Sequence, residues 1–106
     1  MPKYLIQGSY TVEGIKGVLK EGGTSRRAAV ESAVKAMGGK LEAFYFAFGA
    51  EDTFAIVEVP DNVTAAAFSM IVAATGTVRD RTTVLLTPEE IDQAAKKTVS
   101  FRPPGH

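Results

Sequence analysis

Two consecutive segments of this chain are apolar on both faces, and that constrains the fold more than any other feature. Leu41–Phe48 puts Phe44, Phe46 and Phe48 on one side of an extended chain and Leu41, Ala43, Tyr45 and Ala47 on the other. After Gly49-Ala50-Glu51-Asp52, which reads as a turn, Thr53–Val59 sets Ala55, Val57 and Val59 against Phe54 and Ile56. Such a pair reads as the two strands of a hairpin. A sheet covered on one side only alternates apolar with polar residues. This hairpin does not, so both faces need cover. Helices from a chain of 106 residues can cover one. The other face points to a second copy, sheet against sheet, because large apolar side chains on a flat exposed face make an adhesive patch.

The rest of the chain supplies the elements around that hairpin. Lys3–Tyr10 alternates and reads as a strand. Thr11 suits the cap of a short helix that places Ile15, Val18 and Leu19 at helical spacing, weakened by Gly14 and Gly17 and ended by Gly22-Gly23. Thr24 or Ser25 is expected to cap a second helix, with Ala29, Val30, Ala33, Val34 and Met37 on one stripe and Gly38-Gly39 as its stop. Pro60 ends the hairpin, and Asp61 or Asn62 caps a helix running to about Ala74. That helix is apolar on most faces, which predicts deep burial. Thr77–Leu86 reads as the last strand. Thr87-Pro88-Glu89-Glu90 then carries an N-cap, a first-turn proline and a capping box, opening a short helix to about Lys97.

The order βαββαβ, with an extra C-terminal helix, is the ferredoxin-like pattern of the α+β class. It predicts an antiparallel four-stranded sheet with both main helices on one side. Residues 1–97 form the domain and 98–106 a tail whose Pro103-Pro104-Gly105 cannot continue a helix. A turn centred on Ala50-Glu51 pairs Phe48 with Thr53, Phe46 with Ala55 and Phe44 with Val57. The open face would then hold Ala43, Tyr45, Ala47, Phe54, Ile56 and Glu58.

Composition narrows the chemistry. Twelve basic and twelve acidic residues give no net charge, which speaks against nucleic acid as a partner. With no cysteine there is no disulfide, thiolate metal site or thiol nucleophile. One histidine, His106 at the C-terminus, excludes a Ser-His-Asp triad and any site with two imidazoles. No apolar run reaches the ~18 residues of a membrane span, and the N-terminus lacks the apolar core of a signal peptide. The expectation is a cytoplasmic protein with no membrane partner, no metal and no cofactor of its own.

Several stretches together resemble the GYD domain family: Tyr4-Leu5-Ile6-Gln7-Gly8-Ser9-Tyr10-Thr11, Glu13-Gly14-Ile15-Lys16, Gly38-Gly39-Lys40-Leu41-Glu42-Ala43-Phe44-Tyr45 and Leu85-Leu86-Thr87-Pro88-Glu89-Glu90. The likeness covers nearly the whole chain and rests on the ordered set. The family is mostly bacterial and archaeal and has no assigned function. It resembles dimeric α+β barrels, a group that includes cofactor-independent monooxygenases, muconolactone isomerase and haem-binding members. The resemblance thus implies a homodimer and no particular reaction. The Gly-Tyr-Asp triplet that names the family falls at the hairpin turn, where this chain has Glu51 before Asp52 in place of the tyrosine.

Six residues are candidates for ligand binding. Glu58, mid-strand between valines and expected beside Tyr45, is the candidate acid or base, because a carboxylate in an apolar barrel has its pKa raised. Its plainer role is an ion pair with Arg79 or Arg81, or a place at the wet rim. Arg79 and Arg81 share one face of a strand and suit a carboxylate ligand, or else simply charge an edge strand against aggregation. Gln7 and Ser9 share a face of the first strand, where they are either pocket polar groups or satisfied core groups. Tyr45 offers a hydroxyl to a ligand, or an aromatic ring to a subunit interface. Gly22-Gly23-Thr24-Ser25-Arg26-Arg27 lacks the lysine and spacing of a phosphate loop and reads as a capped helix start. Two functions remain: binding of a small anionic or aromatic molecule by a dimer, or a non-catalytic oligomerisation and interaction module. Monooxygenase- or isomerase-like catalysis enters only through the fold group.

Overall fold

The computed structural model describes residues 1–106. The elements run β1 (Lys3–Tyr10), α1 (Val12–Glu21), α2 (Gly23–Ala36), β2 (Lys40–Phe46), β3 (Thr53–Glu58), α3 (Asn62–Ala74), β4 (Val78–Leu85) and α4 (Pro88–Ala95). The sheet order is β2-β3-β1-β4 and every pairing is antiparallel. This is the ferredoxin-like α+β fold that the element order predicts. Tyr4, Val57 and Val59 of the sheet layer meet Val34 of α2 and Ala65 of α3 in one core, with Ile6, Val30, Leu41 and Phe68 packed around it. Both main helices therefore lie on the same side of the sheet.

Side-chain caps start three of the four helices where the sequence suggests. Thr11 accepts from the Gly14 amide, Asp61 from the Thr64 amide, and Thr87 forms both bonds of a capping box with Glu90. The start of α2 differs from the expectation. Neither Thr24 nor Ser25 caps it; Gly22 does, with no side chain to offer. Gly22 has φ +85°, a conformation that suits glycine. Its amide closes α1 on the Val18 carbonyl, and its own carbonyl accepts the Arg26 amide that opens α2. One residue thus ends one helix and begins the next. At the far end of α2, the Gly38 amide bonds to Lys35 and the Gly39 amide to Val34, the pattern of a Schellman cap.

The hairpin register is shifted by two residues from the expectation, and its loop is two residues longer. Phe46 faces Thr53, Tyr45 faces Phe54 and Phe44 faces Ala55. The loop Ala47–Asp52 is closed by the Ala47 amide bonding to the Asp52 carbonyl, which leaves Phe48 in the loop and fully exposed rather than under a helix. An even shift preserves which face each residue occupies. The parity breaks instead at Glu42, where a bulge separates Leu41↔Val57 from Ala43↔Ile56. The extra residue turns Leu41 away from the open face and into the core.

The single chain leaves much apolar surface uncovered. α3, expected to be deeply buried, buries only Ala65, and Val63, Met70 and Ile71 stand exposed on its outer side. Leu19 of α1 is likewise exposed. No helix is long and apolar enough to cross a membrane.

Candidate functional site

The register of the two central strands decides where the candidate residues lie. Tyr4 and Ile6 point into the core, so Leu5, Gln7 and Ser9 point to the open face. Gln7 stands between Phe54 of β3 and Arg81 of β4, and Ser9 stands opposite Arg79. Gln7, Ser9, Arg79 and Arg81 thus occupy one end of the open face. β4 is an edge strand, as the aggregation-resisting role of its arginines requires.

Glu58 is at the other end. It pairs in register with Lys3 and Lys40, and its charge helps to hold the Lys3 ammonium protonated, an effect led by the 2.7 Å bond from Lys3 to Glu42. Six positions of β1 separate Lys3 from Ser9, roughly 20 Å at strand rise. An ion pair between Glu58 and Arg79 or Arg81 is therefore absent. Nor does Glu58 sit beside Tyr45, because the shifted hairpin register puts Tyr45 opposite Phe54, four positions away. Tyr45 is 70% exposed and borders a depression of about 230 Å³ shared with Glu42 of β2 and with Arg27 and Glu31 of α2.

The end that holds the arginines is ordered by the hairpin loop. Ser9 donates to the Glu51 carboxylate at 2.8 Å and to the Ala50 carbonyl at 2.9 Å. Arg81 donates to the other oxygen of Glu51. The Ser9 hydroxyl first, and the Arg81 guanidinium with it, hold the Glu51 carboxyl below its ordinary value against the opposing effect of burial. Asp52 is the second tether: its carboxylate accepts the Tyr10 amide, and its own amide bonds to the Gly8 carbonyl. Glu51 thus neutralises one arginine of the pair and leaves Arg79 without an ion-pair partner. Ser9, Glu51, Arg79, Asp80 and Arg81, all polar or charged residues, surround a depression of about 250 Å³.

A second concave space lies on the other side of the sheet at the same end. It is a slot of about 70 Å³ between the sheet and helices α2 and α3. Phe44, Val30, Phe68 and Val72 form apolar walls, and Ala55 and Val57 form part of the floor. Gly8 keeps the floor open, since a Cβ there would lie 2.7 Å from the Thr53 hydroxyl oxygen. Polar groups gather at Tyr10, Arg26, Thr53 and Asp80. Burial pushes the Tyr10 phenol up, and the adjacent Arg26 pulls it partly back. Asp80 accepts from Ser69 of α3 at 3.1 Å and borders both the slot and the polar depression. Mostly apolar walls with a few converging polar groups are the chemistry of a small-molecule site.

Sequence reasoning singled out none of the slot residues as ligand groups. Their signal was weak, because Phe44, Val30 and Phe68 read as ordinary core, and Arg26 read as a solvated helix start. The slot appears only when α2 and α3 are placed over β1 and β3.

No match emerges among curated proteins or solved structures. The family model described as GYD domain matches residues 4–95 of the 106. That match takes in all but the first residue of the sheet, the slot, the polar depression and α4, and this chain belongs to the GYD domain family.

Proposed function

We propose that this chain works as a homodimer in which each subunit binds a small, partly aromatic organic molecule with a polar end. The observation that carries the reading is the slot under α2 and α3, with phenylalanine and valine walls and with Tyr10, Arg26, Thr53 and Asp80 as polar anchors. An aromatic body matches the walls, and an anionic or hydroxyl group matches Arg26 and its neighbours. The dimer is supported by the open face, where Leu5, Phe54 and Ile56 are only half-buried and Tyr45 is exposed. A second copy laid on this face removes that surface from water.

Native mass spectrometry of the freshly purified protein tests both parts. The expected result is a dimer that carries an added small mass. Replacing Val30 by Trp fills the slot and is expected to remove that mass while the dimer persists. A monomer at micromolar concentration overturns the dimer. A bound mass that survives Val30→Trp places the ligand elsewhere and overturns the slot.

The alternative, an interaction module without a ligand, has one observation in its favour. The six candidate residues divide between two ends of the open face, and Arg81 is already paired with Glu51. A bare dimer that binds no aromatic acid or phenol from a panel supports that alternative.

A further inference from the structure

We propose that the C-terminal arm, α4 together with the tail 98–106, docks on a second copy of this chain, in the groove between that copy's α3 and β4. The proposal rests on the homodimer reading.

The arm has no seat on its own body. Every residue from Pro88 to His106 is exposed, including Ile91, Val99 and Phe101. The chain measures 56 × 33 × 22 Å. Its radius of gyration is 16.9 Å, against about 13 Å for a compact domain of this length. Pro88 and the Thr87–Glu90 capping box fix the direction in which the arm leaves β4.

Its chemistry asks for an apolar partner. Ile91, Ala94 and Ala95 lie on one side of α4, and Glu89, Glu90 and Asp92 lie on the other. Eight residues are too few for a helix that stands alone in water, where about 12–15 is already marginal. Val99 and Phe101, two positions apart, fall on one face of an extended segment.

The receiving groove has matching properties. Tyr4, Ala65, Ala66 and Val84 line an open space of about 240 Å³ with Ser69 and Thr82. None of these residues is charged, and α3 has no charged residue along its length. The arm can therefore lay its apolar stripe there and keep its acidic side in water. Position favours the partner's groove. β4 is an edge strand, so both the root of the arm and the groove lie at the rim of the open face, where two copies would meet. Reach is sufficient: the helix spans about 12 Å and the ten residues after Lys96 about 33 Å when extended.

The test uses the full chain, which has no native cysteine. Val99→Cys is labelled with a benzophenone photocrosslinker and mixed into a large excess of isotopically heavy wild-type chain. After subunit exchange and irradiation, the crosslinked peptides are read by mass. The expected product joins the light arm to heavy peptides from residues 62–74 or 78–85. Crosslinks confined to the light chain's own body, or to other heavy peptides, overturn the arm proposal and leave the dimer standing. Chains that never associate overturn both. A second variant, Ile91→Asp with Phe101→Asp, alters side chains that are exposed in the single chain and so spares its fold. The dimer dissociation constant is expected to rise at least about tenfold; an unchanged constant overturns the proposal.

Discussion

Ser9 and Glu51, 42 positions apart in sequence, are joined by a hydrogen bond of 2.8 Å that fastens the hairpin loop to the first strand. The bond has a consequence for acid stability. Glu51 titrates below its ordinary value of 4.5, chiefly because of Ser9. A carboxyl lowered in the folded state stabilises the protein fully above that ordinary value. The contribution is lost as pH falls through the lowered folded value. Ser9→Ala should therefore flatten the fall in melting temperature between pH 5 and pH 3, in the order expected for a lowered carboxyl. Identical pH profiles for the two proteins would count against this account.

The two glycines of α1 should respond to alanine in opposite ways. A Cβ on Gly14 would collide with the Thr77 carbonyl, whereas a Cβ on Gly17 meets nothing within 4 Å. Gly17→Ala should stabilise the protein by about 0.5–1 kcal/mol through helix propensity. Gly14→Ala should destabilise it by more than about 1 kcal/mol, because backbone must move. Urea denaturation of both variants measures the contrast.

Two apolar residues with similar sequence contexts should differ as sharply. Val57 is 2% exposed at the centre of the core, and Phe48 is fully exposed in the hairpin loop. Val57→Ala should cost about 2 kcal/mol or more, and Phe48→Ala should stay within about 0.5 kcal/mol. A large loss from Phe48→Ala in dilute protein would contradict the place of Phe48 in the long hairpin loop.

The bulge makes a prediction of its own. Removing Glu42 should leave a regular strand in which Leu41 and Phe44 still face the core and Ala43 still faces away, at the loss of the Lys3–Glu42 ion pair. Removing Tyr45, also a single residue, should turn Lys40–Phe44 onto the wrong faces. Circular dichroism and a thermal melt should find the first variant folded and the second not.

The order of elements was legible because strong local signals mark it. Thr11, Asp61 and Thr87 cap the helices that follow them, and Gly38-Gly39 closes α2. The Gly22 junction was not legible, because two polar residues just downstream compete as caps and only backbone geometry decides between them. The Glu42 bulge was hidden because Leu41 fits either face of an apolar hairpin. Among the site residues, alternation alone grouped Gln7 with Ser9 and Arg79 with Arg81. Their convergence at one end, and the distance of Glu58 from it, depend on pairings between segments 40 to 80 residues apart, which no local pattern encodes.

The strand order β2-β3-β1-β4 also governs when each part of the sheet can form. The β2–β3 hairpin closes a loop of only a few residues and can form early. β1 pairs with β3 and β4, whose first residues are Thr53 and Val78. It must close loops of more than 40 residues on one side and nearly 70 on the other, and such closures cost entropy before any contact repays it. On a ribosome, β1 leaves the tunnel long before either neighbour exists. Of the two central strands, the one made first is the last to be enclosed.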